Sequence, residues 1–290
     1  MKLLLKFDLI LVTLAALGLL LVAFVAHNFL HQNARAQVLQ QAELMMESAS
    51  SVRRYTSDEL KPLLISNPKY EQEFLPQIVP AYGATTIFAK LRARFPEYTY
   101  REPALNPTNP QDRAVDWEAD VIQHFRNHPS DSELIAERAT PMGAALYLAH
   151  PIVALPTCLQ CHSVPAAAPA SMIRKYGSDH GFGWKPNEII GAQIVSVPTA
   201  VPVGIADKAF HSLMLSLTLV FAALIVATNV ILVLLIVRPV RRLAHVANQV
   251  STGQLEGAEL PVRGNDEIAE LTASFNRLFT SLAKAMRLLG

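Results

Sequence analysis

The stretch Ala144–His162, AALYLAHPIVALPTCLQCH, decides the reading of this chain. Its opening part, Ala144 to Val153, is rich in aliphatic, aromatic and β-branched side chains and has Gly143 at its border, which predicts a strand. Its close, Cys158-Leu159-Gln160-Cys161-His162, sets two thiols three positions apart with a histidine beside the second. At that spacing the thiols reach both vinyl groups of a haem, and the adjacent histidine falls under the iron as proximal ligand. Two other chemistries stay open at these residues, a disulfide or redox pair and a metal site. A structural zinc site wants four Cys or His ligands, and the chain has only these two cysteines.

Working outward, the Pro/Ala-rich Val164–Ala170 and the glycines Gly177, Gly181 and Gly183 predict a flexible loop, and Ile189–Val197 predicts a second strand. Two antiparallel strands around a long, cofactor-bearing loop fit an α+β domain of the sensor type. Upstream, Asp116–Arg126 reads as a short helix with Asp116 or Asp112 as cap, and Thr85–Arg94 as another with Ile87, Phe88 and Leu91 inward. Between them, Pro103, Pro107 and Pro110 exclude regular helix, because each removes a donor and restricts the residue before it. His27 to Leu64 predicts a long helix whose Val38, Ala42, Met45, Ala49 and Val52 share one face; Pro62 and Asn67-Pro68 are expected to end it.

Of the 290 residues, 51% are hydrophobic and 17% charged, and mean hydropathy is +0.25, high for a soluble protein. The excess sits in Leu9–Ala26 and Ala209–Val237, which carry no formal charge. Each can cross a hydrocarbon core of about 30 Å as a helix, the form that pairs every backbone group internally. Lys2 and Lys6 precede the first span, and Arg238, Arg241 and Arg242 follow the second, so both termini are expected in the cytoplasm. The predicted order is a cytoplasmic N-terminus at 1–8, a transmembrane helix at 9–27, an outer domain at 28–208, a second transmembrane helix at 209–237 and a cytoplasmic part at 238–290. Ala34-Arg35-Ala36 resembles a signal-peptide cleavage site but lies well beyond the apolar run, which favours an uncleaved span. A net charge of +1 and the lack of a basic run give no sign of a nucleic-acid partner. The carboxylates form no paired catalytic arrangement, and Gly177–Gly183 lacks the Lys-Ser or Lys-Thr of a phosphate cradle, so the chain is not expected to be an enzyme.

Beyond the second span, Pro239, Leu243, Val246 and Val250 recur at helical spacing. After a connector with Gly253, Gly257, Pro261 and Gly264 come Ile268, Leu271, Phe275, Leu278, Leu282, Ala285 and Leu289, an unbroken heptad seam. Two short amphipathic helices cannot bury such seams alone. A parallel dimer would bury all four as a bundle.

Residues 238–290 resemble the HAMP linker of bacterial sensor kinases and chemoreceptors: Pro239 opens the first helix, Asp266-Glu267-Ile268-Ala269-Glu270-Leu271 opens the second, and Phe275-Asn276 continues it. The outer region resembles periplasmic single-haem sensor domains, described as PAS-like and related to a cyanobacterial c-type haem protein. The residues that carry this are Asn106-Pro107-Thr108-Asn109-Pro110, Asp116-Trp117-Glu118, Glu137-Arg138, Tyr147–Pro151, Cys158–His162 and Gly191-Ala192-Gln193-Ile194. The resemblance implies one covalent haem c on Cys158 and Cys161 with His162 on the iron. A relative takes its other axial ligand from a cysteine on the first helix. Both cysteines here are already used, and by register the matching position is Met46, with Met45 beside it.

Met45 and Met46 on an amphipathic helix are also ordinary core residues. His150, near the haem motif, is the histidine rival for the iron; His124, His128 and His180 read as surface residues. Arg53 and Arg54 read as a solvated face or as propionate partners, and Trp117 and Trp184 as core or pocket lining. The leading expectation is a haem sensor of the bacterial inner membrane, multi-pass, with its sensor domain in the periplasm. It would detect redox state or a diatomic gas and pass the change through a HAMP homodimer to a cytoplasmic output protein. The alternatives are a membrane-tethered electron-transfer cytochrome c and a ligand receptor whose CxxCH is a disulfide. With no kinase, cyclase or methyl-accepting domain after HAMP, either the output is a separate protein or the sequence is part of a longer one.

Overall fold

The computed structural model describes residues 3–67, 69–252 and 259–289. Lys2, Pro68, Gly253 and Gly257, named above, and the side chain of Leu289 lie outside that description. The chain divides into two units, His27–Phe210 and the combination of Met1–Ala26 with His211–Gly290.

The first unit is built on a four-stranded antiparallel sheet of order β1-β4-β3-β2, from β1 (Thr99–Arg101), β2 (Leu134–Thr140), β3 (Gly143–Val153) and β4 (Ile189–Pro198). The two strands expected from sequence are its centre, paired antiparallel with Leu148 opposite Val195. Their near-continuous apolar character has a physical cause, because both faces are covered. Leu146 and Leu148 of β3, with Val195 and Val197 of β4, face Val38, Ala42, Met46 and Ala49 of helix α1 (Leu3–Tyr55). Alternate residues, Tyr147 and Ala149 with Ala192 and Ile194, face Val121, Ile122 and Phe125 of helix α5 (Asp116–Asn127). The period of two thus assigns one set of side chains to each layer. The edges went unrecognised: β1 is three residues long, and β2 carries Glu137 and Arg138, as edge strands do.

Pro62 does not end the first helix. A π turn, Thr56–Leu60, follows α1, the Lys61 N–H donates to the Thr56 carbonyl, and α2 (Lys61–Ile65) continues the same rod. Proline lacks the N–H and crowds the carbonyl four residues back, and a widened turn absorbs both defects. Two short helices come next, α3 (Lys69–Gln72) and α4 (Pro80–Arg92); α4 starts earlier than expected because Pro80 suits a first helical position. The cap of α5 is also not as expected: Val115 is the N-cap, and its N–H donates to the Glu118 carboxylate at 3.0 Å.

The haem-motif segment, expected as loop, contains a helix, α6 (Pro156–His162), again started by a proline, and α7 (Ala170–Tyr176) follows it. A third apolar cluster forms here from Phe74, Ile78 and Met172, with Cys161, Tyr176 and Phe182 against it.

The early part of α1 and helix α8 (Ala200–Leu232), most of which belongs to the second unit, are long and apolar enough to cross a membrane. Large apolar side chains stand exposed along them, Leu20, Phe24, Leu219 and Val226 among them, as a lipid-facing surface requires. Within this unit Asn229 donates through Nδ2 to Asp8 at 2.6 Å. A second π turn, Val233–Val237, precedes Pro239, with the Arg238 N–H donating to the Val233 carbonyl. The helix therefore runs through the proline into α9 (Arg238–Ser251). Helix α10 (Glu267–Leu289) is capped by Asp266, whose Oδ1 accepts from the Ala269 N–H at 2.9 Å. Asn276 holds the connector with two bonds, accepting from the Leu260 N–H at 3.1 Å and donating to its carbonyl at 2.7 Å.

Candidate functional site

Cys158 and Cys161 lie one turn apart on α6, both half-buried and not joined to each other. Burial pushes the Cys161 thiol upward, the nearby Lys61 charge opposing only in part.

His162 ends the helix and is held on several sides. Its Nδ1 is 2.7 Å from the Gly181 carbonyl oxygen, to which it donates, and 3.4 Å from the Thr108 hydroxyl. Its ring stacks on Trp184, centroids 4.0 Å apart and 10° from parallel. Burial lowers its pKa, only partly offset by the Gly181 bond, so the imidazole is favoured neutral. Neutral, with the proton committed to Nδ1, it keeps the Nε2 lone pair as its free ligand atom.

The loop that carries Gly181 is itself clasped by the proline-rich segment. The Gly181 N–H donates to Asn106 Oδ1 at 3.2 Å, and Asn106 Nδ2 donates to the Phe182 carbonyl at 3.4 Å. Gly181 has φ +81°, and a Cβ there would stand 2.7 Å from Thr108 Cα. Asn106, Thr108 and Gly181 thus form one support for the His162 ring. Gly191 serves a similar purpose: its missing Cβ would lie 2.5 Å from the Pro103 carbonyl oxygen, and Pro103 lies against β4 through the Ala192 N–H at 3.0 Å.

A buried polar network flanks this support. Glu102 pairs with Arg53 and accepts from the Tyr100 hydroxyl at 2.8 Å. Burial and the adjacent Glu102 push Tyr100 far above the usual phenol range, and Asp112 is raised by the same two causes. Arg53 is therefore no solvated face; Arg54, at 2.5 Å from Glu47, remains on one.

The other expected residues are dispersed. Met46 is buried, and it and Met45 belong to the cluster between α1 and the sheet, whereas Cys161 belongs to the cluster of Phe74, Ile78 and Met172. His150 lies on β3 opposite Gln193, with Nε2 3.9 Å from Glu133. Trp117 packs under Arg138, whose guanidinium carbon is 4.0 Å from the ring centroid, so of the two tryptophans only Trp184 is at the histidine. Sequence reading missed Met172, a buried thioether in the cluster of Cys161; its place three residues into a short helix gave no signal. It missed the Gly181 carbonyl too, since a backbone acceptor has no sequence signature.

With this geometry in place, comparison with known proteins is informative. A family described as Tll0287-like matches residues 31–198, more than half of the 290-residue chain, and the HAMP domain matches residues 231–284. The crystal structure of the cyanobacterial heme-protein Tll0287 aligns with 17% identity and a TM-score of 0.43, covering 55% of this chain and 94% of that one. No curated protein sequence matches. The chain belongs to the Tll0287-like family and carries a HAMP domain after its second long apolar helix.

Proposed function

We propose that this chain is a membrane-anchored sensor holding one covalent haem c outside the cytoplasm, whose state HAMP relays inward. The observation that carries the reading is the His162 ring, fixed by Gly181 and Trp184 with Nε2 left as ligand atom. Bound there, haem supplies an iron whose charge, spin and coordination change with redox state or a diatomic gas. Cys158 and Cys161 would form the two thioethers, and the Gly181 carbonyl would both orient His162 and raise its basicity. Two thioethers could offer a bound haem iron a second ligand: Met46, matched by register to the relative's cysteine, and Met172, which shares a cluster with Cys161.

The charge pattern at the two spans supports an inner-membrane topology with residues 28–208 in the periplasm. Leu243, Ala247, Leu271, Phe275 and Leu278 line an apolar groove between α9 and α10, and Leu271 and Leu278 remain largely exposed in the single chain. A second copy in parallel would cover that groove and complete a four-helix bundle. We read the chain as non-enzymatic, with a cytoplasmic partner supplying output. HAMP favours signalling over simple electron transfer, because a carrier needs no cytoplasmic relay.

The test is expression of the full chain with the c-type maturation machinery, followed by haem staining after denaturing electrophoresis. A stained band is expected, lost when Cys158 and Cys161 are both changed to Ala. An exported wild-type protein that never stains would refute the reading.

A further inference from the structure

At the C-terminal end of α5, His124 and His128 lie one turn apart with rings stacked, centroids 4.6 Å apart and 25° from parallel. Asp131 comes back toward them from the next turn, its N–H donating to the His128 carbonyl at 3.0 Å. Its Oδ2 lies 3.0 Å from His124 Nε2. One ligand atom from each residue falls within 4.8 Å of the other two. His128 Nδ1, 3.0 Å from the His124 carbonyl oxygen, donates to it, which fixes the tautomer and leaves Nε2 with a free lone pair.

Three features of this corner favour a cation. The last carbonyls of α5 carry partial negative charge, which acts within the final turn of a helix. Two imidazoles and a carboxylate form an N,N,O set suited to zinc and its neighbours, with water completing the coordination. An ordinary His124–Asp131 ion pair explains two of the three groups but not the second imidazole.

We propose that His124, His128 and Asp131 form a divalent transition-metal site of the zinc class, separate from the haem motif. Metal held there ties the end of α5 to the turn leading into β2. The same helix is joined to β4 by Arg126, which donates through Nε to the Ile189 carbonyl at 2.8 Å. Occupancy would therefore brace the layer on the opposite face of the sheet from α1, giving the sensor unit a metal-dependent stiffness.

The test is calorimetric titration and equilibrium dialysis of Zn2+ against the tag-free, full-length protein in detergent micelles. Saturable uptake of one Zn2+ per chain is expected, lost in the His124→Ala/His128→Ala double variant and kept in His27→Ala/His31→Ala. Asp131→Asn, a near-isosteric change, should weaken it by at least about tenfold, the scale on which metal sites lose affinity when their support is altered. Absence of uptake by the wild type overturns the proposal. So does unchanged uptake in the double variant or, should that variant misfold, unchanged affinity in Asp131→Asn. Each titration is repeated in a Cys158→Ser/Cys161→Ser background, which removes the thiols of the haem motif as competing Zn2+ ligands and makes the readings independent of bound haem.

Discussion

Replacing Gly181 by Ala puts the support of His162 to a quantitative test. A Cβ there would lie 2.0 Å from the Thr108 hydroxyl oxygen, 2.7 Å from Thr108 Cα and 2.8 Å from Thr108 Cβ, at a backbone φ of +81°. A left-handed conformation costs a non-glycine residue roughly 1–2 kcal/mol. Overpacking adds about 1–3 kcal/mol, since the obstacle includes backbone and cannot be removed by a rotamer change. Gly183 provides the control: its φ is +82° and nothing lies within 4 Å of its Cβ position, so Gly183→Ala should show only the conformational cost. The extra loss in Gly181→Ala should lower the thermal midpoint by roughly 2–12 °C beyond the control, for a domain of this size. If the loop relaxes by moving away, the His162–Gly181 bond breaks and the imidazole becomes a weaker donor. The potential of the haem-loaded protein should then rise. Adding Thr108→Ala removes the hydroxyl but leaves the clash with the Thr108 backbone, so rescue should be partial. The assays are thermal unfolding and redox titration of the full-length protein in micelles. Equal behaviour of Gly181→Ala and Gly183→Ala in both would refute this account of the loop.

Other consequences follow from the same geometry. Arg53→Ala strands the nearly inaccessible Glu102 carboxylate and should cost about 3 kcal/mol or more, measured by denaturant unfolding, while Arg53→Ala with Glu102→Gln should cost less. Asp112 has its pKa raised by burial and by Glu102, so its charged form is the disfavoured one in the folded protein. Its contribution is fully present below the ordinary carboxylate value and is lost as pH rises through the raised one. Asp112→Asn should therefore stabilise at neutral pH, by an amount that shrinks on acidification. Met46→Ala and Met172→Ala should each destabilise by about 2–5 kcal/mol as buried truncations. Only the variant that removes an iron ligand should also convert the haem to a high-spin, carbon monoxide-accessible form; an unchanged spectrum in both, in Met45→Ala and in the Met45→Ala/Met46→Ala double variant discards thioether ligation and makes His150→Ala the next substitution.

Some of this structure was legible in residue order and some was not. The central strands were readable because apolar residues on both faces leave few polar interruptions, and α5 because Val121, Ile122 and Phe125 recur at helical spacing. The edge strands β1 and β2 escaped because they are short or charged, and their pairing depends on partners far along the chain. Pro62 looked like a helix end and Pro239 like a helix start; in each case a π turn preceding the proline absorbs the defect, a backbone adjustment no side chain announces. The thiols and His162 were read from spacing alone. What positions them was not, since it is a carbonyl, a stacked Trp184 and a clasp from residues far earlier in the chain. His124 and His128 looked like separate surface histidines until α5 placed them one turn apart beside Asp131.

The central claim is that Cys158, Cys161 and His162 hold haem covalently, and peptide mass spectrometry of the matured, full-length protein tests it most directly. After proteolysis under denaturing conditions, the peptide containing Cys158–His162 should carry the added mass of one haem, with no free thiol available for alkylation. The same peptide recovered with two alkylated thiols, or two hydrogens lighter as a disulfide, would contradict the account.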